Sequence, residues 1–155
     1  MDLGIASRVA LVTGASRGLG LAIAHALAHA LAREGATVVR AALGDPAIVI
    51  ANAGGPPSTT FATTDDAQYV AAIEQNLLRS IRLAHATVPA MRAAKWGRVI
   101  FLTSMAAKQP LAGLILSNTA RAGVLGFAKT LANEVARDGV NVHTVMPGHF
   151  NTAGP

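Results

Sequence analysis

The sequence predicts an α/β protein with a doubly wound, mostly parallel sheet of about five strands and helices on both faces. Two observations support this fold class: short apolar runs alternate with longer helical segments, and the first run ends in a glycine-rich turn that opens a helix. Such alternation is typical of a parallel sheet covered by helices. With 155 residues, of which 52 % are hydrophobic and 14 % charged, the chain is long enough for a domain with its own core. We therefore treat residues 1–155 as a single domain.

Five short, mainly apolar runs are the predicted strands. They cover residues 9–12, 36–39, 47–51, 98–103 and 140–145. Runs of this length, rich in Val and Ile, are typical of buried strands in a parallel sheet.

Two of the three predicted helices follow directly from composition and spacing. Residues 19–33 are rich in Ala and Leu and are followed by Gly35, a residue type suited to the position after a helix. Residues 113–137 form the last predicted helix, between the fourth and fifth strands.

The long helical segment at residues 65–94 carries its own start signal. Asp65 or Asp66 can accept a hydrogen bond from a backbone N–H of the first turn. Pro89 lies inside the segment, and since proline lacks an N–H we expect an interruption near it.

Charge and composition exclude several classes of function. The net charge is +5, but the thirteen Lys and Arg residues are scattered with few aromatic residues among them. This pattern indicates a solvated basic surface and not a nucleic-acid interface. The absence of cysteine excludes disulfides and thiolate metal sites. His25 and His29 lie four residues apart without a nearby carboxylate, so we predict no metal site.

The sequence shows no targeting or membrane signal. The first residues lack a basic segment followed by an apolar one, and no stretch reaches about 18 uninterrupted apolar residues. We therefore expect a soluble cytoplasmic protein without a membrane partner.

The sequence VTGASRGLG, residues 12–20, joins the first strand to the first helix through three glycines. Glycine lets backbone N–H groups approach an anion without a Cβ in the way. The amino terminus of the helix adds a partial positive charge, so the turn is suited to a phosphate. The spacing is G-x-x-x-G-x-G and differs from the G-x-G-x-x-G of the general dinucleotide fingerprint. An ordinary strand–helix turn is therefore the alternative at this point.

With four further motifs the chain resembles the short-chain dehydrogenase/reductase family, in particular the 3-oxoacyl-acyl-carrier-protein reductases. The family pattern T-G-x-x-x-G-x-G matches residues 13–20, and the other matches are Asn52-Ala53-Gly54, Asn76-Leu77, Ser104 and residues 147–152. The resemblance implies a Rossmann-like dinucleotide-binding domain. The cofactor-binding residues that it implies are Gly14, Ser16, Arg17, Gly18, Leu19, Gly20, Arg40, Asn52, Ala53, Gly54, Pro147, Gly148 and Thr152.

The tyrosine and lysine that carry proton transfer in this family are replaced here. The family's Tyr-x-x-x-Lys follows its serine at a distance that leads from Ser104 to Ser117 and Arg121. The resemblance assigns the substrate oxygen to Ser104 and a proton-relay water to Asn76. The predicted catalytic residues are therefore Asn76, Ser104, Ser117 and Arg121.

The replacement weakens acid–base chemistry but keeps a hydroxyl and a cation. A serine hydroxyl has a pKa far above the value of about 10 for tyrosine, so Ser117 is a poor acid near neutral pH. Arg121 stays charged to about pH 12, so it cannot pass on a proton, but it can hold the ribose and stabilise an alkoxide. His149 is an alternative proton donor. The sole tyrosine, Tyr69, is expected to pack and not to replace the acid.

Two arginines favour NADP over NAD. Arg17 lies in the glycine loop and Arg40 ends the second strand, where both can meet a phosphorylated ribose. No acidic residue closes that strand to bind a free 2′-hydroxyl. NAD is the alternative if both arginines are only surface charges.

The chain departs from the family in length. Only residues 40–46 separate the second and third strands, where family members have a helix, a strand and another helix, and the sequence ends just after Thr152. In doubly wound order these two strands flank the first, and residues 40–46 barely span the expected path. We therefore expect a distorted second strand, an antiparallel pairing or a crossing loop, in a domain that is truncated or engineered.

The leading hypothesis is an NADP-dependent oxidoreductase that acts on a small carbonyl or alcohol substrate and forms a homodimer or homotetramer. The competing hypothesis is a non-catalytic dinucleotide-binding or scaffold protein that associates through the helices that begin near Asp65 and Gly113. A designed or minimised Rossmann domain without a ligand is the third. Cofactor binding and NADPH oxidation separate the three.

Overall fold

The computed structural model describes residues 4–14, 18–34, 37–39 and 45–148. Within these ranges all five predicted strands are present. They are β1 (Val9–Val12), β2 (Thr37–Val39), β3 (Ile48–Ala51), β4 (Gly97–Leu102) and β5 (Val140–Val145). The helices are α1 (Gly18–Arg33), α2 (Asp66–Ile73), α3 (Arg79–Ala93) and α4 (Ile115–Val135).

The five strands form one parallel sheet in the order β2-β1-β3-β4-β5. The chain starts in the middle of this order, goes to one edge and then returns past β1 to the other edge. The doubly wound α/β fold predicted from the alternation of elements is therefore confirmed.

The short connection between β2 and β3 does not force an antiparallel pairing. Both strands lie parallel to β1, with Val39 level with Leu11 and Ile48 level with Ala10. The strand ends are thus separated by two strand spacings, about 10 Å, and by a single residue in level. Residues 40–47 can span about 26 Å when extended, more than this straight-line separation. The antiparallel pairing expected as one alternative is not found among the described strands. The crossing loop, the other alternative, would fall on residues 40–46, of which 40–44 lie outside the described part.

Core residues lie on both faces of the sheet. Because side chains alternate along a strand, neighbours such as Ile48 and Val49 point to opposite faces. Val49 belongs to the larger cluster, which includes buried residues of α3 and α4. In this cluster the rings of Phe101 and Phe127 pack edge to face, with their centroids 5.8 Å apart. Ile48 belongs to a smaller cluster against which Leu31 of α1 packs. The helices therefore cover both faces, as the fold class requires.

The long helical segment is interrupted at a different place from the one expected. Asp65 is the cap: its carboxylate accepts the N–H of Gln68 at 2.8 Å, and the Gln68 side chain accepts the N–H of Asp65 at 3.0 Å. Residues 74–78 then form a π-helical turn, closed by the Arg79 N–H donating to the Glu74 carbonyl. Pro89 lies inside α3 without breaking it. Pro89 is exposed, as is His85 one turn earlier, so the carbonyl that loses its helical donor lies on the solvent side.

Candidate functional site

A cleft of about 890 Å³ lies at the carboxyl ends of the parallel strands. This edge is where open α/β sheets bind their ligands, beside the point at which the strand order reverses. The reversal here lies between β1 and β3, which are adjacent and lead in opposite directions along the sheet. The cleft is lined by the predicted site residues Gly14, Asn52, Ala53, Gly54, Ser104, Ser117, Arg121, Pro147 and Gly148.

Thr13 and Asn52 tie the glycine turn to the segment after β3. The Thr13 hydroxyl donates to the Asn52 carbonyl at 3.1 Å and accepts the Asn52 N–H at 3.0 Å. The Asn52 side-chain amide donates to the Gly14 carbonyl at 3.0 Å. Two segments far apart in sequence are thereby held side by side at the reversal point. Thr13 was not among the predicted site residues, although it is the first residue of the glycine motif.

Gly14 closes this arrangement because no larger residue fits. Its φ is +64°, a conformation that L side chains rarely adopt. A Cβ at this position would lie 2.4 Å from the Asn52 carbonyl oxygen and 2.8 Å from its side-chain nitrogen. The backbone of the turn therefore approaches the N-A-G segment more closely than any side chain permits.

The remaining cofactor-binding predictions fall partly outside the described residues. Gly18, Leu19 and Gly20 are the first three residues of α1. Four further predicted residues lie outside the described part, namely Ser16, Arg17, Arg40 and Thr152, as does the alternative proton donor His149. The predictions for these residues stay predictions.

Ser104 follows β4 and starts a short 3-10 turn, residues 105–107. Its hydroxyl oxygen accepts the Ala106 N–H at 3.1 Å, which leaves the hydroxyl hydrogen free to be donated to a ligand. The next N–H, that of Met105, donates to the Pro147 carbonyl at 3.2 Å. The Pro-Gly segment and the serine are thus held beside each other in the cleft.

Ser117 and Arg121 lie one turn apart on α4, and both line the cleft. The Ser117 hydroxyl has no hydrogen-bond partner among the described residues. The Arg121 guanidinium donates through Nη1 to the Thr103 carbonyl at 2.5 Å and through Nη2 to the Ala53 carbonyl at 3.4 Å. Burial lowers the pKa of Arg121 from its ordinary value. The acceptors of Arg121 are thus backbone carbonyls that follow two neighbouring strands, β4 and β3.

Asn76 is the one predicted catalytic residue that does not line the cleft. It lies in the π-helical turn, is 3 % exposed, and donates its side-chain amide to the Ala72 carbonyl at 3.1 Å. The backbone carbonyl of Asn76 accepts a hydrogen bond from the Ser80 hydroxyl at 2.7 Å. Ser80 lines the cleft, whereas Asn76 does not, and Ser80 is not among the site residues predicted from the sequence.

Sequence reasoning also missed a group of polar residues on the same wall, Gln75, Arg79 and Arg82. Arg82 is paired with Glu74, whereas Arg79 has no ion pair in the part of the chain that the structure covers. Their spacing of three to four residues places them on one helical face. The helical spacing of polar residues around Asn76-Leu77 is the signal in the sequence that could have identified Gln75, Arg79 and Arg82.

Tyr69 packs against the helix that carries Ser117. It lies against a buried cluster of Ala72, Leu116 and Ala120 and does not line the cleft. The expected packing role is therefore confirmed.

Among the described residues, no group of three or more His, Asp or Glu side chains is placed to hold a metal ion. In the same ranges, no helix combines the length and the apolar character needed to cross a bilayer.

Comparison with known proteins relates the chain to one family. The family profile described as short chain dehydrogenase matches residues 36–154. Nodulation protein G of Azospirillum brasilense is 30 % identical, with 96 % of this chain and 76 % of that protein covered. The 3-oxoacyl-[acyl-carrier-protein] reductase FabG of Escherichia coli K12 is 32 % identical, with 94 % and 74 % covered.

Among solved structures, L-sorbose reductase from Gluconobacter frateurii, complexed with NADPH and L-sorbose, has a TM-score of 0.83 at 30 % identity. The match covers 98 % of this chain and 73 % of that one. The alignment with nodulation protein G runs over 192 residues, more than the 155 of the chain, so that relative has residues without a counterpart here. This excess agrees with the short connection between β2 and β3.

Proposed function

Because the chain belongs to the short-chain dehydrogenase/reductase family of oxidoreductases, we propose that it transfers a hydride between NADP(H) and the carbonyl or alcohol carbon of a small substrate. The observation that carries this proposal is the convergence of the glycine turn, the N-A-G segment, Ser104 and Pro147-Gly148 on one cleft at the reversal point of the sheet.

The residues present fit a dinucleotide. The close approach of Gly14 to Asn52 holds the glycine turn against the N-A-G segment at the cleft. The next helix, α1, begins at Gly18, and a helix amino terminus that closely follows such a turn is suited to a phosphate. A cleft of about 890 Å³ falls within the range of about 300–1,000 Å³ that is typical of ligand sites. Gly14 and residues 18–20 would hold the phosphates, and Asn52 to Gly54 would line the nucleoside side.

When bound, the nicotinamide supplies or accepts the hydride. Ser104 donates its free hydroxyl hydrogen to the substrate oxygen and so orients the carbonyl. Ser117 presents a second hydroxyl to the cleft, which can hydrogen-bond the same oxygen but cannot protonate it efficiently near neutral pH. The alcohol proton must therefore come from water or from a residue outside the described ranges.

We predict that NADPH binds more tightly than NADH. Arg17 can pair with the 2′-phosphate, and hydrogen bonds to charged groups contribute about 1.5–3 kcal/mol. Calorimetric titration with the two cofactors measures the preference, and Arg17→Ala should remove it. Arg33→Ala, at the exposed end of α1, is the control and should leave it unchanged. Equal affinities in the parent protein would refute the NADP assignment.

The second candidate function is a dinucleotide-binding protein without catalysis. The replacement of tyrosine and lysine by Ser117 and Arg121 favours it, because neither residue is an effective proton donor. NADPH oxidation with a generic β-keto ester separates the two candidates. Binding with turnover supports the reductase, and binding without turnover on several ketones supports the second candidate.

We also predict self-association through α4. Ala122 and Gly126 form an exposed face of small residues on this helix, and Val70 of α2 is 66 % exposed. Small side chains allow two such helices to pack closely across a two-fold axis. Sedimentation velocity should show a dimer or tetramer. Gly126→Glu should give a monomer, because a Cβ there meets nothing within 4 Å among the described residues, and a charge placed on this face opposes close packing of a second helix. A monomeric parent protein would contradict this prediction.

A further inference from the structure

The guanidinium of Arg121 connects the ends of two neighbouring strands. Nη1 donates to the carbonyl of Thr103, directly after β4, at 2.5 Å, and is 3.4 Å from that of Leu102. Nη2 donates to the carbonyl of Ala53, after β3, at 3.4 Å. These contacts bridge 18 and 68 residues of sequence, so they are tertiary and not local.

Among the described residues, the guanidinium of Arg121 has backbone carbonyl acceptors and no carboxylate partner. None of the ion pairs in the described ranges includes it. Its Nε is buried without a hydrogen-bond partner in the same part of the chain. Arg121 is partly buried, and a guanidinium in such a place without a carboxylate depends on its carbonyl acceptors, because leaving a charged donor unsatisfied away from water is costly. Release of Thr103 and Ala53 to reach a ligand would therefore carry a large penalty.

The two acceptors stand next to functional residues. Thr103 immediately precedes Ser104, and Ala53 immediately precedes Gly54, and all four line the cleft. The Thr103 N–H and hydroxyl both donate to the Val145 carbonyl of β5, at 2.8 and 3.2 Å, so the position of Thr103 also affects the segment that leads to Pro147. The side chain of Arg121 is therefore connected, directly or through Thr103, to the segments that carry Ser104, Gly54 and Pro147.

We propose that Arg121 is a positioning residue, which holds Ser104 and the N-A-G segment in register by joining the carboxyl ends of β3 and β4. We call Arg121 with the carbonyls of Thr103 and Ala53 the strand-end clamp. This role differs from direct contact with the ribose. If Arg121 positions the site in this way, its substitution should also lower the affinity for the cofactor; that effect rests on the proposed function. The clamp itself is a property of the protein without cofactor.

The geometry of the side chain matters for the clamp. A guanidinium is a planar fork whose two terminal nitrogens donate in fixed, separate directions. A lysine ammonium has three donors but they share one nitrogen on a flexible stem, so it holds the carbonyls of Thr103 and Ala53 at two separate positions less well than a guanidinium does. Arg121→Lys should therefore retain part of the clamp, and Arg121→Met, an uncharged side chain without hydrogen-bond donors, none of it.

Hydrogen exchange of the protein without cofactor tests the clamp. The amides to follow are those of Asn52, Thr103 and Ala106, which donate to the Thr13 hydroxyl, the Val145 carbonyl and the Ser104 hydroxyl. In Arg121→Met these amides should exchange about 10-fold faster or more, in line with the loss of hydrogen bonds from a charged donor. The reference amides, Gly97 and Arg98 at the amino end of β4, should change little. Arg121→Lys should fall between the parent and Arg121→Met, and it carries the test if Arg121→Met does not fold.

Two controls complete the experiment. Arg137→Met removes an exposed arginine beyond the end of α4 and should leave every amide unchanged. Ethylguanidinium added to Arg121→Ala should restore slow exchange at the carboxyl edge, whereas ethylammonium should not. Equal acceleration of the amides at both ends of β4 would overturn the proposal in favour of a general effect on stability. Unchanged exchange with a loss of NADPH affinity alone would overturn it in favour of direct ribose contact.

Failure of the cofactor proposal is distinguishable from failure of the clamp. If the parent protein binds neither NADPH nor NADH, the proposed function is wrong, and the exchange pattern still decides the role of Arg121. If the parent binds NADPH, the affinity of Arg121→Ala should recover with ethylguanidinium over the same concentration range as the exchange protection.

Discussion

Gly14→Ala should reduce the affinity for NADPH on the order of 100-fold while leaving the protein folded. At φ +64° an alanine is strained by about 1–2 kcal/mol. Its Cβ would also lie 2.4 Å from the Asn52 carbonyl oxygen, so the turn and the N-A-G segment must separate. The hydrogen bonds between Thr13, Gly14 and Asn52 are then weakened, at about 1 kcal/mol each. Calorimetric titration measures the loss, and circular dichroism checks the fold.

Gly113→Ala is the matched control for this change. Gly113 has φ +74°, so the conformational strain is similar, but a Cβ there meets nothing within 4 Å. We expect Gly113→Ala to lower stability slightly and to leave NADPH affinity within a few-fold of the parent. If Gly14→Ala binds NADPH as tightly as the parent, the phosphates do not lie on this turn.

Much of the fold could be predicted because the signals for it are local. The run at residues 140–145 was predicted with the same bounds as β5, and Asp65 was one of two predicted caps of the helix that starts at Asp66. Apolar runs, glycine turns and capping side chains act within a few residues of the element that they specify. The positions of Asn52, Ser104 and Pro147 then follow from parallel topology, since each comes one or two residues after the end of a strand.

The features that could not be predicted depend on distant contacts or on competing local geometries. Pro89 is a strong local signal, yet the helix departs from α geometry at residues 74–78. That π-helical turn places Asn76 in the interior, with its amide bonded to Ala72. The path between β2 and β3 depended on the register of both strands against β1, which the sequence does not contain.

Arg121 shows the same limit for the site. The prediction assigned it the ribose and a developing alkoxide, on the basis of a resemblance. In the structure its terminal nitrogens meet the carbonyls of Thr103 and Ala53, which lie 18 and 68 residues away in the sequence. Such acceptors become visible only when strand order and helix position are both known, because spacing along a chain says nothing about backbone groups on another strand.

The double change Ser117→Tyr with Arg121→Lys should raise the rate of NADPH oxidation on a β-keto ester. General acid catalysis contributes about 10²–10⁴-fold, and a tyrosine on this face of α4 would supply an acid in place of the serine hydroxyl. A lysine in place of Arg121 is bound less firmly to the carbonyls of Thr103 and Ala53. Its ammonium can therefore bind the ribose that carries the nicotinamide ring. The strand-end clamp is weakened by the same change, so we expect kcat to rise while the affinity for NADPH falls several-fold.

Ser117→Tyr alone should recover less activity than the double change. Arg121 then keeps its bonds to Thr103 and Ala53, so its charge is held by the backbone and lowers the tyrosine pKa less effectively. Arg121→Lys alone should show no gain, because Ser117 is still a poor acid. Stopped-flow measurement of a single turnover separates the chemical step from cofactor release. A double variant that binds NADPH yet turns over none of several ketones would show that the substrate pocket, and not the proton donor, prevents reaction, and the protein would then be a dinucleotide-binding protein without reductase activity.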